Sequence, residues 1–96
     1  MSQNNDFIKS TLKHIGNDDK STWYVGIATF PKDRLFKDHN VNEQKGSWIY
    51  STQMTEQDAR DTEEYLLKEY PFKGGTGGGN NPRYVYAYKI TSTTKQ

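Results

Sequence analysis

The residue with the clearest chemical potential in this sequence is Glu63, which falls on the apolar side of a predicted helix. At about 100° per residue, five residues share that side: Ala59, Glu63, Leu66, Leu67 and Tyr70. The neighbouring Glu64 points outward and can pair with Lys68 at i+4, whereas Glu63 has Leu67 at that position. A carboxylate on such a face is paired with a distant cation, hydrogen-bonded structurally, or able to bind a metal ion. Periodicity alone leaves these three roles open.

A second unusual segment is GGTGGGNNP, residues 74–82, which Arg83 and a strand-like run follow directly. Its glycines precede a strand, unlike those of a dinucleotide-binding fingerprint, and it lacks the Gly-Lys-Ser/Thr ending of a phosphate-binding loop. Two interpretations stay open. The segment is a flexible turn, or its backbone N–H groups around Gly77 and Gly78 form an anion-binding concavity with Arg83 at its exit.

The elements that must position these residues alternate along the chain in the order α-β-α-β-α-β. Helices are predicted at residues 5–15, 31–39 and 55–70, and strands at residues 22–30, 47–53 and 83–90. In the last strand Tyr84, Tyr86 and Tyr88 alternate with Val85 and Ala87, so its two faces differ. The sequence therefore predicts one small α+β domain over residues 1–96, with a three-stranded, mainly antiparallel sheet packed with three helices.

Composition limits the class of protein. A formal charge of +1 and 14% aromatic residues are untypical of a disordered chain and exclude a strong overall field for nucleic acid. The absence of cysteine excludes disulfides and thiolate metal sites. No apolar run approaches the ~20 residues of a membrane span, and no secretion signal is evident, so a cytoplasmic protein without membrane contact is expected. We expect frayed ends at about residues 1–5 and 92–96, and an exposed aromatic strand makes a homodimer a further expectation.

The run YVGIATFPKDRLFKDH, residues 24–39, resembles the second half of the GIY-YIG nuclease signature. Tyr24, Val25 and Gly26 correspond to the Tyr-Ile-Gly element of this signature. Arg34 follows Gly26 at the spacing of the family's arginine. Further along the chain, Ala59 and Glu63 have the spacing of the family's later helix, where an alanine precedes the metal-binding glutamate by four residues.

The resemblance implies a GIY-YIG-like domain that hydrolyses DNA phosphodiesters with the help of Mg²⁺ or Mn²⁺. It gives Glu63 the role of metal ligand, Arg34 that of phosphate clamp, and Tyr24 that of a hydrogen-bonding or base residue. His39 would be a helper, although an isolated histidine is more often found at a surface or boundary. The family's Gly-Ile-Tyr strand has no counterpart upstream of Tyr24, and a tyrosine of the last strand could occupy the vacant position.

A second hypothesis is a catalytically degenerate, non-enzymatic module of this fold that binds nucleic acid, DNA rather than RNA, or a protein partner. Its candidate binding residues are Arg34, Gly77, Gly78, Arg83 and Tyr86. The missing first strand favours this hypothesis, whereas the central position of Glu63 favours the nuclease. The nuclease hypothesis further predicts that Glu63 and Arg34 approach a shared pocket near Tyr24.

Overall fold

The structure, a computed structural model, describes residues 3–74 and 81–96. Over these ranges the chain forms the helices α1 (Asn5–Ile15), α2 (Pro31–Asp33) and α3 (Glu56–Glu69), and the strands β1 (Trp23–Ala28), β2 (Trp48–Tyr50), β3 (Lys73–Gly74) and β4 (Tyr84–Lys89). The predicted α+β class is confirmed. None of the helices in the described ranges is long and apolar enough to cross a membrane.

The sheet has four strands in the order β2-β4-β1-β3. Strand β4 pairs antiparallel with both β1 and β2, and β3 pairs parallel with β1. The prediction of three strands was therefore wrong by one strand. Within the described residues the additional strand covers Lys73–Gly74, and two residues are too few to show the alternation by which a strand is recognised in a sequence.

One face of the sheet packs against α1 and α3, and this side holds the larger apolar core. Its buried residues are Phe7, Ile8, Ile15, Trp23, Val25, Ile27, Ala59, Leu66, Phe72, Val85 and Ala87. Helix α1 is tied to α3 by the backbone N–H of Asn4, which donates to the Thr62 hydroxyl at 2.7 Å. The core thus fixes the helix that carries Glu63 against the sheet.

The opposite face of the sheet is covered by α2 and by a π-helical turn that continues it over Arg34–Asp38. The predicted helix at residues 31–39 is therefore α-helical only in its first turn. The backbone N–H of His39 donates to the carbonyl of Arg34 at 2.9 Å, an i→i+5 bond that places His39 one wide turn after Arg34. Leu35, from the same turn, is fully buried against the sheet.

The C-terminal residues pack against this turn. The backbone N–H of Lys95 donates to the carbonyl of His39 at 2.7 Å, and the Asn40 side chain donates to the carbonyl of Thr93 at 2.9 Å. At the other end, the side chain of Asn4 caps α1 by accepting from the N–H of Phe7 at 2.9 Å. The expectation of frayed ends over residues 1–5 and 92–96 stays a prediction, although Asn4, Thr93 and Lys95 take part in these hydrogen bonds.

Candidate functional site

Three tyrosines share the face of the sheet that lies under the π-helical turn. Tyr24 of β1 is directly opposite Tyr88 of β4, and two residues further on Gly26 is opposite Tyr86. Directly opposite residues of an antiparallel pair project to the same side of the sheet. The ring centroids of Tyr24 and Tyr88 are 5.2 Å apart, and those of Tyr24 and Tyr86 are 6.4 Å apart. Tyr86 and Tyr88 are only 1% and 0% exposed, whereas Tyr24 is half-buried.

Gly26 makes room for this cluster. A Cβ atom built on Gly26 would lie 2.5 Å from the Tyr86 hydroxyl oxygen and 2.6 Å from the carbon that bears it. Only a residue without a side chain lets the phenol approach the backbone so closely. The glycine of the Tyr-Val-Gly element therefore has a physical role, which is to seat a tyrosine from the neighbouring strand.

His39 is buried beneath the tyrosines and holds one of them by a hydrogen bond. Its Nδ1 lies 2.6 Å from the carbonyl oxygen of Lys95, and its Nε2 lies 2.8 Å from the Tyr86 hydroxyl. Because a carbonyl oxygen only accepts, Nδ1 carries the proton, and Nε2 of the neutral ring accepts the proton of Tyr86. Burial lowers the pKa of His39, with the Lys95 hydrogen bond opposing that shift. The expectation of a surface or boundary histidine was wrong, since His39 is 4% exposed.

Arg34 approaches the same phenols from the π-helical turn. Its side chain is 33% exposed, and its Nε lies 3.5 Å from an oxygen of Asp38. This nitrogen is itself buried and, among the described residues, has no partner with hydrogen-bond geometry. Burial raises the pKa of Tyr86 to about 12, and Arg34 opposes that shift through its charge and a side-chain hydrogen-bond interaction. The charge of Arg34 likewise opposes the rise that burial causes in the pKa of Tyr24.

Glu63 belongs to α3, which packs against the other face of the sheet, and it influences these phenols through its charge. The residue is half-buried, one helical turn after the fully buried Ala59. Over residues 3–74 and 81–96 its carboxylate has no hydrogen-bond or ion-pair partner. Burial raises its pKa, and the charge of Arg60 opposes this only in part, while the Arg60 guanidinium pairs with Glu56 at 2.8 Å.

The charges of Arg34 and Glu63 thus shift the pKa values of the same two phenols, Tyr24 and Tyr86, in opposite directions. Arg34 opposes the rise in the pKa of Tyr24 and of Tyr86, and Glu63 adds to the rise for both. The structure brings together Tyr24, Arg34, His39 and Tyr86, whereas Glu63 is linked to this group only through the effect of its charge. Arg83, at the entrance to β4, is exposed and belongs to a separate cavity. The predictions for Gly77 and Gly78 fall outside the described residues.

The candidate cation ligand at this site is a single carboxylate, that of Glu63. No group of three or more His, Cys, Asp or Glu side chains able to hold a metal ion occurs in the described part of the chain. Mg²⁺ is commonly bound through one or two carboxylates, water and substrate phosphate, not by a protein cage. The half-buried, unpartnered carboxylate of Glu63 meets that requirement.

Two further partners in this site, Tyr88 and Lys95, were not among the predicted site residues. Tyr88 shares a face with Tyr86 by strand alternation, and its hydroxyl lies 3.0 Å from Nδ1 of His39 and donates to the Lys95 carbonyl at 3.3 Å. Burial raises the pKa of Tyr88 strongly. The role of Lys95 had no signal at all, because it acts through a backbone carbonyl that any residue could supply.

Comparison with protein-family models, with curated proteins and with solved structures finds no match to this chain. What this site does must therefore be argued from its own geometry and chemistry.

Proposed function

We propose that this domain is a GIY-YIG-like nuclease that hydrolyses DNA phosphodiesters with the help of Mg²⁺ or Mn²⁺. One observation carries the proposal. A cationic and an anionic side chain, Arg34 and Glu63, act through their charges on the same pair of phenols, and neither has its hydrogen-bonding capacity filled among the described residues. A phosphate ester with its accompanying cation supplies what both groups lack.

In this proposal Glu63 and Arg34 divide the work of binding the phosphate. Glu63 holds the cation, which when bound supplies Lewis-acid polarisation of a phosphate oxygen. Arg34 donates hydrogen bonds to a second phosphate oxygen and stabilises the negative charge that develops in the transition state. The buried Nε of Arg34, 3.5 Å from Asp38 and without a hydrogen bond among the described residues, supports this role because a phosphate oxygen would satisfy it.

We assign to Tyr24 the role of general base, which accepts a proton from the attacking water. It is half-buried, whereas Tyr86 and Tyr88 are closed off from solvent. Tyr24 first releases its own proton to solvent; the water oxygen then bonds to phosphorus as the bond to the leaving ester oxygen breaks, the Tyr24 phenolate accepts the water's proton, and the leaving oxygen takes one from solvent. Arg34 favours the ionised phenol that this step needs and Glu63 disfavours it, so a cation held by Glu63 would favour ionisation of Tyr24 by offsetting the carboxylate's charge.

Tyr86 and His39 act as positioning residues in this mechanism. A chain of interactions runs from the Lys95 carbonyl through His39 to the Tyr86 hydroxyl and from there to Arg34. Tyr86 donates its proton to His39, so its oxygen remains an acceptor for the guanidinium. We assign to Tyr86 the position that the missing Gly-Ile-Tyr strand would otherwise supply, since β4 runs beside the Tyr-Val-Gly strand with Tyr86 opposite Gly26.

The experiment that tests this function is cleavage of DNA with and without Mg²⁺ or Mn²⁺. The unchanged protein should cut only with the cation, and Glu63→Gln should abolish cutting without unfolding the domain. Glu64→Gln is the matched control, because its side chain is exposed on the same helix. Cutting without metal, or full activity in Glu63→Gln, would contradict the role of Glu63.

The burial of most of the tyrosine face of β4 weighs against the non-enzymatic alternative, which uses that face to bind a partner. Tyr86 and Tyr88 are buried, so neither offers a surface to nucleic acid, to a protein partner or to a second copy of the chain. Tyr84 is the half-exposed member of the three. A protein that cuts no DNA or RNA substrate in the presence of either metal would favour the alternative.

A further inference from the structure

A cavity of about 600 Å³ opens beside the end of β1, apart from the site described above. Aromatic, cationic and amide side chains line it, among them Phe30, Lys32, Tyr50, Gln53, Arg83 and Tyr84. Its volume lies within the range of small-ligand sites. The catalytic proposal uses none of these six residues.

Part of the aromatic lining of this cavity is exposed to solvent. Phe30 is 67% exposed, the one large hydrophobic residue so exposed among the described residues, while Tyr50 and Tyr84 are half-buried. An exposed ring at the rim of a cavity is available to stack on a planar group. Phe30 follows β1 after a single intervening residue, so a rigid sheet positions it.

The charged lining favours an anion. Neither Lys32 nor Arg83 has an ion-pair partner in the described ranges, whereas the lining carboxylate, Asp33, lies 3.8 Å from the ammonium of Lys37. The backbone of Arg83 is fixed on both sides, since its N–H donates to Ala28 at 3.1 Å and its carbonyl accepts from Met54 at 2.9 Å. A planar aromatic ring beside two free cations matches the chemistry of a nucleotide, which joins a flat base to a phosphate.

We propose that this cavity binds one unpaired nucleotide of the DNA substrate, with the base stacked on Phe30 and its phosphate held by Arg83 and Lys32. The proposal rests on the nuclease function proposed above and specifies its substrate as DNA with a single-stranded segment. A base inside a duplex is already stacked on both faces, so Phe30 can reach only a base that is unpaired. Tyr84 and Tyr86 are two residues apart on β4, about 7 Å along the strand, so the bound nucleotide lies next to the scissile phosphate.

The test measures binding without cleavage, using Glu63→Gln protein and a fluorescent single-stranded DNA 15-mer, with the same sequence as a duplex for comparison. Phe30→Ala in that background should weaken single-strand binding on the order of 10-fold and leave duplex binding unchanged. Phe30→Trp should restore it, because the larger ring also stacks. The exposed side chain of Phe30 makes the folding of these variants a minor concern.

Arg83→Ala should also weaken single-strand binding and reduce its dependence on salt concentration. Lys13→Ala, an exposed charge on α1, is the matched control and should leave binding unchanged. The cavity proposal is overturned if Phe30→Ala binds the single strand as well as its parent, if it weakens duplex binding equally, or if the parent binds no DNA. Binding that depends on Phe30 in a protein that cuts nothing would support the cavity and reject the nuclease.

Discussion

The phenol of Tyr86 fills the space above the α-carbon of Gly26 on the neighbouring strand. A Cβ at Gly26 would lie 2.5 Å from the phenol oxygen, a separation that atoms in a folded protein do not tolerate. The same phenol donates to His39 at 2.8 Å and interacts with Arg34. The absence of a side chain at one position in β1 therefore determines the placement of the residue that connects the buried histidine with the guanidinium.

Gly26→Ala should destabilise the domain and damage the site together. The added methyl group must displace the Tyr86 ring, and overpacking of this kind typically costs about 1–3 kcal/mol of unfolding free energy. We expect a lower midpoint in chemical denaturation and a loss of DNA cleavage. The control is Gly16→Ala, where φ is +61° and, among the described residues other than its neighbours in the chain, no atom lies within 4 Å of the added Cβ. That change should strain the backbone by about 1–2 kcal/mol and leave the cleavage rate per folded molecule unchanged, and equal losses of activity in both variants would contradict the proposed seating of Tyr86.

The burial of His39 should make stability depend on pH in the mildly acidic range. Burial holds the pKa of His39 below its value of about 6.5 in the unfolded chain. As the pH falls below 6.5 the unfolded state takes up a proton that the folded state does not, so the unfolding free energy decreases until the pH reaches the folded pKa. His39→Gln should remove this part of the slope in denaturation curves measured between pH 5 and 7. His14→Gln, at an exposed position of α1, should retain it, and an unchanged slope in His39→Gln would contradict the assignment.

Local sequence patterns were enough to find Glu63, because an acid on an apolar helical face is visible from periodicity alone. Helical spacing also places His39 on the inner side of its short helix, but it could not indicate the partners of this residue, since Lys95 and Tyr86 lie 56 and 47 residues away along the chain. The π-helical turn was also not predicted, because it too is defined by a contact that the local sequence does not show. Residues 34–38 have the composition of an ordinary helix, and the wider turn is recognised only from the bond between His39 and Arg34.

Glu63→Gln should raise the stability of the domain at neutral pH, although it removes the proposed metal ligand. Burial raises the pKa of Glu63 above that of the unfolded chain, so its contribution to stability is greatest below the unfolded pKa and is lost as pH rises through the folded pKa. A neutral amide avoids that loss. The melting temperature of Glu63→Gln should therefore exceed that of the unchanged protein at pH 7, with the difference closing towards pH 4.

A divalent metal ion should reverse the order of the melting temperatures of Glu63→Gln and the unchanged protein. Millimolar Mg²⁺ or Mn²⁺ should raise the melting temperature of the unchanged protein, because a ligand that binds only the folded state stabilises it. Glu63→Gln should show no such rise, and the exposed control Glu64→Gln should respond as the unchanged protein does. An equal response of all three proteins would place the metal, if any binds, away from Glu63.

Tyr86→Phe separates the hydroxyl of this residue from its ring. The ring remains to fill the space above Gly26, but Nε2 of the buried His39 loses its donor, which typically costs about 1–3 kcal/mol. Arg34 loses the oxygen that orients it, so we expect the cleavage rate to fall by roughly 10²-fold, the lower end of what the loss of one preorganised donor to a transition state costs. Tyr88→Phe is the matched control, since its hydroxyl lies 3.0 Å from the other nitrogen of His39 and has no interaction with Arg34 in the described ranges. Single-turnover cleavage with saturating metal measures both variants, and an effect of Tyr88→Phe as large as that of Tyr86→Phe would show that the hydroxyls support packing around His39 and do not position Arg34.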